Sequence, residues 1–323
     1  MKRAAGSILW LFILLYSPAG AEWFRGNTHT HTNLSDGDSP PETVVRWYKD
    51  HGYNFVVITD HNRNADVGGL NAAFSAQGNQ FLVIPGNEIS CSSEGKPVHL
   101  TALHVSKPLQ PFNEDTITRT IQRNIDEIRA AGAVPVVCHP NFVWAFGAKE
   151  LEPVNNLQFI EVWNCHPIVN NYGGGGLPNT EAIWDDLLSK GKRVWGVASD
   201  DTHTLKDYSL RNANPGRGWV MVKCSRLTLE DIMSALEKGD FYFSTGVELS
   251  DIGFDGKTCT VTVKPAGQAK YTVEFIGNGG TVLARVGSHG AVYNLRGNEG
   301  YVRARITDSN GFRAWTQPVF TGK

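Results

Sequence analysis

Cysteine is scarce and scattered in this chain: five among 323 residues (Cys91, Cys138, Cys165, Cys224 and Cys259), none in C-x-x-C spacing. In an oxidising compartment an odd count leaves at least one cysteine unpaired. Net charge is almost absent, at −2 from 30 bases and 32 acids, which excludes a nucleic-acid binder that works by bulk electrostatics. Long apolar runs are missing too. The run from Ile8 to Tyr16 falls short of the roughly 20 residues that a spanning helix needs.

What is there instead begins with that short run. Lys2 and Arg3 precede it, and Pro18 and Ala19-Gly20-Ala21 follow it, the order of a secretory signal peptide with a small-residue cleavage site. No cysteine follows the cleavage site, so a lipoprotein anchor is not indicated. The expectation is a signal peptide over residues 1–21 and a periplasmic or secreted mature chain from Glu22. Losing two bases and no acid moves its charge from −2 to −4. Nine tryptophans and 34 glycines suit a loop-rich enzyme with aromatic-lined surfaces.

The chain is organised around residues 26–38, GNTHTHTNLSDGD. His29 and His31 stand two apart, so on a strand both face the same side. Asp36 sits in a Ser-Asp-Gly turn that folds a carboxylate back over the same place. Similar residues recur down the chain. The apolar run NFVVIT ends at Asp60-His61, the strand Phe81–Ile84 leads to Glu88, and the alternating run VHLTALHV carries His99 and His104. Val134–Val137 delivers His139, Phe159–Trp163 delivers Cys165-His166, and Val194–Ala198 delivers Asp201 and His203. Helical segments alternate with these strands, among them one that starts at Ser39-Pro40-Pro41-Glu42 with Ser39 as cap and runs towards Asp50, and Glu114–Ala131 with Ile117, Ile121, Ile125 and Ile128 on one face.

A repeated β-α unit whose strands end in His, Asp or Glu predicts a parallel α/β barrel with the chemistry at one rim. The candidate metal ligands are His29, His31, Asp36, His61, Glu88, His99, His139, Asp201 and His203. Crowded imidazoles and carboxylates need a cation between them, because alone they repel or are desolvated. Beyond residue 247 alternating runs separated by glycine turns predict a small all-β sandwich. The division expected is 22–246 for the barrel and 247–323 for the sandwich.

Taken together, GNTHTHTNLSDG, ITDHN, GNEIS, the His99 strand, VCHPN and SDDTH, in that order, resemble the motifs of the polymerase-and-histidinol-phosphatase (PHP) metal-dependent hydrolases. The resemblance covers Phe24 to Gly246. It implies a distorted (βα)7 barrel holding two or three divalent ions, zinc, manganese or iron. It further implies that His29, His31 and Asp201 hold one ion, that Glu88 bridges to a second held by His99 and His139, and that Asp36, His61 and His203 serve a third. His99 rather than His104 matches the family position after the glutamate. Many three-metal members have histidine where Asp36 stands.

Hydrolysis follows from that set, since paired divalent ions lower the pKa of a bridging water and polarise an ester oxygen. The expected activity is an exported phosphoesterase acting on a small phosphomonoester or phosphodiester. Asp201 is expected to take the proton, His203 or a metal to assist the leaving group, and Arg217 to bind phosphate oxygens. A carbamate or carboxyl-ester hydrolase on the same centre is the alternative. A surface-binding protein with structural metals is a third reading, which nine ligands disfavour. Other features stay open at this level. Asn171–Gly176 (NYGGGG) is either a flap or a connector and not a P-loop. His166 either lines the pocket or packs. Trp144, Trp163 and Trp219 form either an aromatic wall or core. Cys138 and Cys165 either bridge or are buried as small hydrophobes.

Overall fold

A computed structural model describes residues 20–75 and 80–322. The expected targeting segment therefore lies outside the described residues, apart from its last two.

Seven strands build the barrel: β1 (Glu22–Asn27), β2 (Phe55–Ile58), β3 (Leu82–Ser93), β4 (Lys96–Leu103), β5 (Val134–Val137), β6 (Phe159–Asn164) and β7 (Trp195–Ser199). Their ladder runs in chain order from β1 to β7. The short apolar strands β2 (FVVI) and β5 (VPVV) are buried throughout, as apolar strands covered on both faces require. Closure comes from the residues just past β1 and β7. The Asp201 amide donates to the His29 carbonyl at 3.1 Å and the His31 amide to the Thr202 carbonyl at 2.9 Å. Gly218 lies where a Cβ would sit 2.7 Å from the Ser199 carbonyl, so the seam tolerates only glycine.

The all-parallel expectation fails at β4, which is antiparallel to both β3 and β5. The cause is the two-residue link Glu94-Gly95. Both residues have positive φ, +52° and +72°, as a tight hairpin demands. Two residues cannot make a parallel crossover. The reversal decides where the histidines of β4 fall. His99 lies near the start of β4, opposite Ser90, two residues past Glu88. His104 follows the other end of the strand and is exposed.

Four longer helices cover the barrel: α1 (Pro41–Asp50), α2 (Val67–Ser75), α3 (Ile117–Ala130) and, after the single turn α4 (Ala148–Leu151), α5 (Thr180–Ser189). Thr116 caps α3 by accepting from the Arg119 amide, and Ile117, Ile121, Ile125 and Ile128 face inward. The cap of α1 is Pro40 rather than Ser39, whose hydroxyl donates to Asp38 instead. Strand β8 (Trp219–Cys224) runs antiparallel along β1 from Glu22 to Gly26, and α6 (Leu229–Lys238) returns the chain to β9 (Phe241–Ser244).

The all-β region follows as β10 (Leu249–Phe254), β11 (Thr258–Val263), β12 (Tyr271–Gly277), β13 (Thr281–Val286), β14 (Gly290–Asn294), β15 (Tyr301–Asp308), β16 (Arg313–Thr316) and β17 (Val319–Phe320). β10, β11 and β14 form one sheet. Its inner residues Val261, Val263 and Tyr293 share a core with Val273, Phe275 and Ile306 of the other. The second sheet is continuous with the barrel, because β9 pairs with β8 on one side and β16 on the other.

Candidate metal centre

Loops after β1, β2, β5 and β7, with the reversed strand β4 and the middle of β3, bring nine predicted ligands together. Glu88 is at the middle of the cluster and is 1% exposed. Its Oε2 lies 3.3 Å from His29 Nε2, 3.2 Å from His31 Nε2 and 2.9 Å from His61 Nδ1. Its Oε1 lies 3.0 Å from His99 Nδ1 and 3.2 Å from His139 Nε2. The two oxygens thus face two different sets of imidazoles. Asp201 Oδ1 joins the first set, 3.3 Å from His29 Nε2 and 3.2 Å from His31 Nε2. Asp36, on the exposed lip, meets His203 Nε2 at 3.3 Å and His61 Nε2 at 3.5 Å.

Four groups of these side chains can each hold an ion: His29, His31 and Asp201; His29, Glu88, Cys138 and His139; His61, Glu88 and His99; and His31, Asp36, His61 and His203. Two observations show that a cation fits. Glu88 Oε2 is buried without a hydrogen-bond donor among the described residues, although three ring nitrogens surround it. His29 Nε2 and His31 Nε2 face each other at 3.1 Å, where at most one proton can lie between them. The mixed imidazole and carboxylate donors suit zinc, manganese or iron.

Electrostatics without an ion tell the same story. Burial opposes charge on His29, yet the carboxylates of Asp201, Glu88 and Glu161 outweigh it and raise its pKa well above the ordinary value. Burial likewise opposes charge on His61 and His203. Glu88 and Asp36 push His61 up to about 10. Asp36 and Asp201 push His203 up to about 9. Burial would raise Glu88 and Asp201, but the surrounding imidazoles, His29 foremost, hold both carboxyls well below the usual range. Protons here stand in for positive charge that the site is built to hold.

Residues that sequence reasoning missed hold the ligands in place. Glu161 on β6 accepts from His29 Nδ1 at 2.8 Å, from the His139 amide at 2.8 Å, from Ser199 Oγ at 2.6 Å and from Asn164 Nδ2 at 2.9 Å. The bond to Nδ1 fixes the His29 tautomer and turns its Nε2 lone pair toward Glu88 and Asp201. A lone acid inside the apolar run FIEVW was the available signal. Asn164 also donates to Asp201 Oδ2 at 3.1 Å. Asp60 accepts from the Thr32 amide and hydroxyl and from Ser35 Oγ, which shapes the turn that carries Asp36.

Arg217 is not brought to the cluster. Its guanidinium donates to the Asn212 and Ser209 carbonyls and to Asn214 Oδ1, tying down the loop after His203. Its amide, with those of Gly216 and Gly218, donates to the buried Asp200. His166 is half-buried, its ring 5.3 Å from that of His203. Cys138 and Cys165 are unbridged, and Cys138 Sγ accepts from the Thr101 amide. The glycines 173–176 all have positive φ in a turn closed by Gly174 and Leu177. Trp219 is core and Trp163 packs against Trp315 with the rings tilted by 32°.

Comparison with known proteins adds the following. No protein-family model matches the chain. A two-domain protein from Bacteroides vulgatus, described as containing a predicted PHP-like metal-dependent phosphoesterase, superposes with a TM-score of 0.54. The match covers 97% of this chain and 100% of that one, at 15% identity. The fold is of the PHP type. Two curated relatives, both described as the 5'-3' exoribonuclease Rnm, match in part. The Salmonella typhimurium protein is 34% identical over 77 residues, 24% of this chain and 26% of its own length. The Escherichia coli protein is 32% identical over 96 residues, 30% and 33% respectively. The chain thus matches about a quarter to a third of the length of these relatives.

Proposed function

We propose that this protein is an exported, metal-dependent phosphoesterase acting on a phosphomonoester or phosphodiester. The observation that carries the reading is Glu88, whose two buried oxygens each face a separate group of imidazoles. His29, His31 and Asp201 would hold one ion, Glu88 would bridge to a second held by His99 and His139, and Asp36, His61 and His203 would hold a third. Divalent ions bound there bring a water's pKa toward neutrality and polarise an ester oxygen. Asp201 keeps Oδ2 on Asn164 and presents Oδ1 inward, which supports it as the proton acceptor. His203 Nδ1 donates to the Asp201 carbonyl at 2.8 Å, which turns Nε2 toward Asp36 at 3.3 Å, and His203 or the ion held there would assist the leaving group. The partial relatives support a phosphodiester among the candidate substrates, since their name is that of an enzyme cleaving RNA.

The commitment of Arg217 to its loop favours one second reading, a carbamate or carboxyl-ester hydrolase on the same centre. Export rests on the sequence of residues 1–21. No helix among the described residues is long and apolar enough to cross a membrane.

The deciding experiment is metal content of the purified mature protein beside hydrolysis of p-nitrophenyl phosphate, bis-p-nitrophenyl phosphate and p-nitrophenyl acetate, for wild type and Asp201→Asn. Two or three metals with phosphoester turnover lost in the variant is the expected result. Acetate turnover alone would move the assignment to the second reading. Failure to retain manganese, iron or zinc would remove both.

A further inference from the structure

Cys138 is placed unlike the other cysteines. Cys91 and Cys224 belong to the barrel core and Cys259 to the core of the all-β region, while Cys165 is partly exposed. Cys138 is 0% exposed and yet joins no apolar cluster, although its neighbours Val136 and Val137 do. Burial of a small hydrophobe therefore does not account for it.

Its surroundings are those of a ligand. Cys138 directly follows β5, where its amide donates to the His99 carbonyl at 3.1 Å. Its Sγ accepts from the Thr101 amide at 3.2 Å and makes a longer contact, 3.5 Å, with the Val136 carbonyl. An N–H donated to sulfur stabilises a thiolate more than a thiol, because the acceptor is then charged. One donor atom each from His29, Glu88, Cys138 and His139 lies within 4.8 Å of all the others. Glu88 spans the set, with Oε2 3.3 Å from His29 Nε2 and Oε1 3.2 Å from His139 Nε2. All four residues are buried, whereas the other four-donor group includes the exposed Asp36. The buried Glu88 Oε2 that lacks a donor points independently to a cation at this place.

We infer that Cys138 is a metal ligand, whose thiolate completes with His29, Glu88 and His139 a closed set on the buried floor of the centre. The ion this set takes is thiophilic, zinc or ferrous iron rather than manganese. A thiol that meets a divalent ion loses its proton, here to solvent, and the soft sulfur then favours zinc and iron over an ion suited to carboxylate and water. Four protein donors of nitrogen, oxygen and sulfur are what zinc takes at closed sites. His29, Glu88 and His139 are shared with the first and second sites, so an ion held by the sulfur takes the place of one of those rather than adding to them. The inference rests on the metal-centre part of the proposed function and is independent of which ester is cleaved.

The test loads the mature protein with cobalt(II), whose bonds to thiolate give a near-ultraviolet charge-transfer band that imidazole and carboxylate ligands do not. Bound metal is counted in the same samples. Wild type should show the band, Cys138→Ser and Cys138→Ala should lose it, and Cys165→Ala should keep it. Cys138→Ser should also weaken zinc binding by about 10-fold or more, since losing even the partner of a ligand costs that much, and weaken manganese binding less. X-ray absorption of the zinc-loaded wild type is a second measurement that no folding defect of a variant can obscure. It should show a sulfur neighbour at about 2.3 Å beside the nitrogen and oxygen ones. Cobalt bound without the band, a band that survives both Cys138 variants or is lost in Cys165→Ala, or zinc with nitrogen and oxygen neighbours alone overturns the assignment. Equal losses of zinc and manganese affinity overturn the preference for a thiophilic ion. Metal bound without sulfur leaves the proposed function standing, whereas a protein that retains none of these metals removes the centre itself.

Discussion

Glu161 touches no second carboxylate set and yet controls the centre, because four donors converge on its two oxygens. Glu161→Gln keeps the shape but removes the charge that holds Nδ1–H of His29. Metal affinity should fall about 10- to 100-fold, the usual effect of losing such a partner, and a chelator competition titration measures it. Protonation gives a second expectation at this scale. His61, at about 10, and His203, at about 9, are protonated at neutral pH when no ion is bound. A cation must displace those protons, so affinity should rise with pH across neutrality, and loading should release more than one proton per chain. Zinc titrations between about pH 6 and 8 in buffers of different ionisation enthalpy report both quantities. An affinity independent of pH would contradict the placement of His61 and His203 among the ligands.

At the scale of elements, the hairpin of β3 and β4 is the departure from a simple barrel that makes the site. It folds β4 back against β3, so that His99 reaches Glu88 from an adjacent strand at 3.0 Å. Lengthening the Glu94-Gly95 turn would free the register that sets this contact. Further along, α6 shows how its ends are specified. Thr228 accepts from the Asp231 amide, Glu230 and Asp231 sit in the first turn, and Gly239 closes the helix in the left-handed region at φ +80°. Thr228→Ala should cost about 1 kcal/mol of stability, read from the midpoint of a denaturant titration, with metal content unchanged. α6 carries no ligand, so a loss of metal in that variant would show a coupling that its position does not suggest.

Across the whole molecule, the barrel and the all-β region are joined by charge as well as by a shared ladder. Arg303 on β15 is fully buried and donates to both Asp185 oxygens, at 2.8 and 2.7 Å, and to Glu181 at 2.7 Å on α5. Arg305 adds Glu181 and Glu274. Arg303→Met leaves two buried carboxylates short of a partner and should destabilise by about 3–5 kcal/mol. Acid titration gives the sign. Burial would raise the Glu181 pKa, but Arg303 and Arg305 outweigh it and lower it. A carboxyl lowered in the folded state contributes stability above its unfolded pKa of about 4.3, and that stability is lost as pH falls through the folded value. The melting-temperature gap between wild type and Arg303→Met should therefore narrow below about pH 4.3, as measured by thermal scans from pH 7 to 3.

Ligand chemistry was legible in the sequence because it is local. Imidazoles and carboxylates at the ends of apolar runs, and the two-residue spacing of His29 and His31, put side chains on one face whatever the rest of the fold does. The β-rich texture after residue 247 was equally local, since glycine turns and alternation are short-range signals. Partner choice was not local. Whether His99 or His104 meets Glu88 depends on the direction of β4, decided by a two-residue turn between runs that each read only as strand. Glu161 looked like an isolated acid until barrel closure brought β6 and the end of β1 together. Arg217 looked free for phosphate until the fold placed three loop acceptors around its guanidinium. The sequence by itself determined which groups are available to hold ions. Only the tertiary structure decided which of them meet, because that depends on strand direction and closure, set by contacts between residues far apart in the chain.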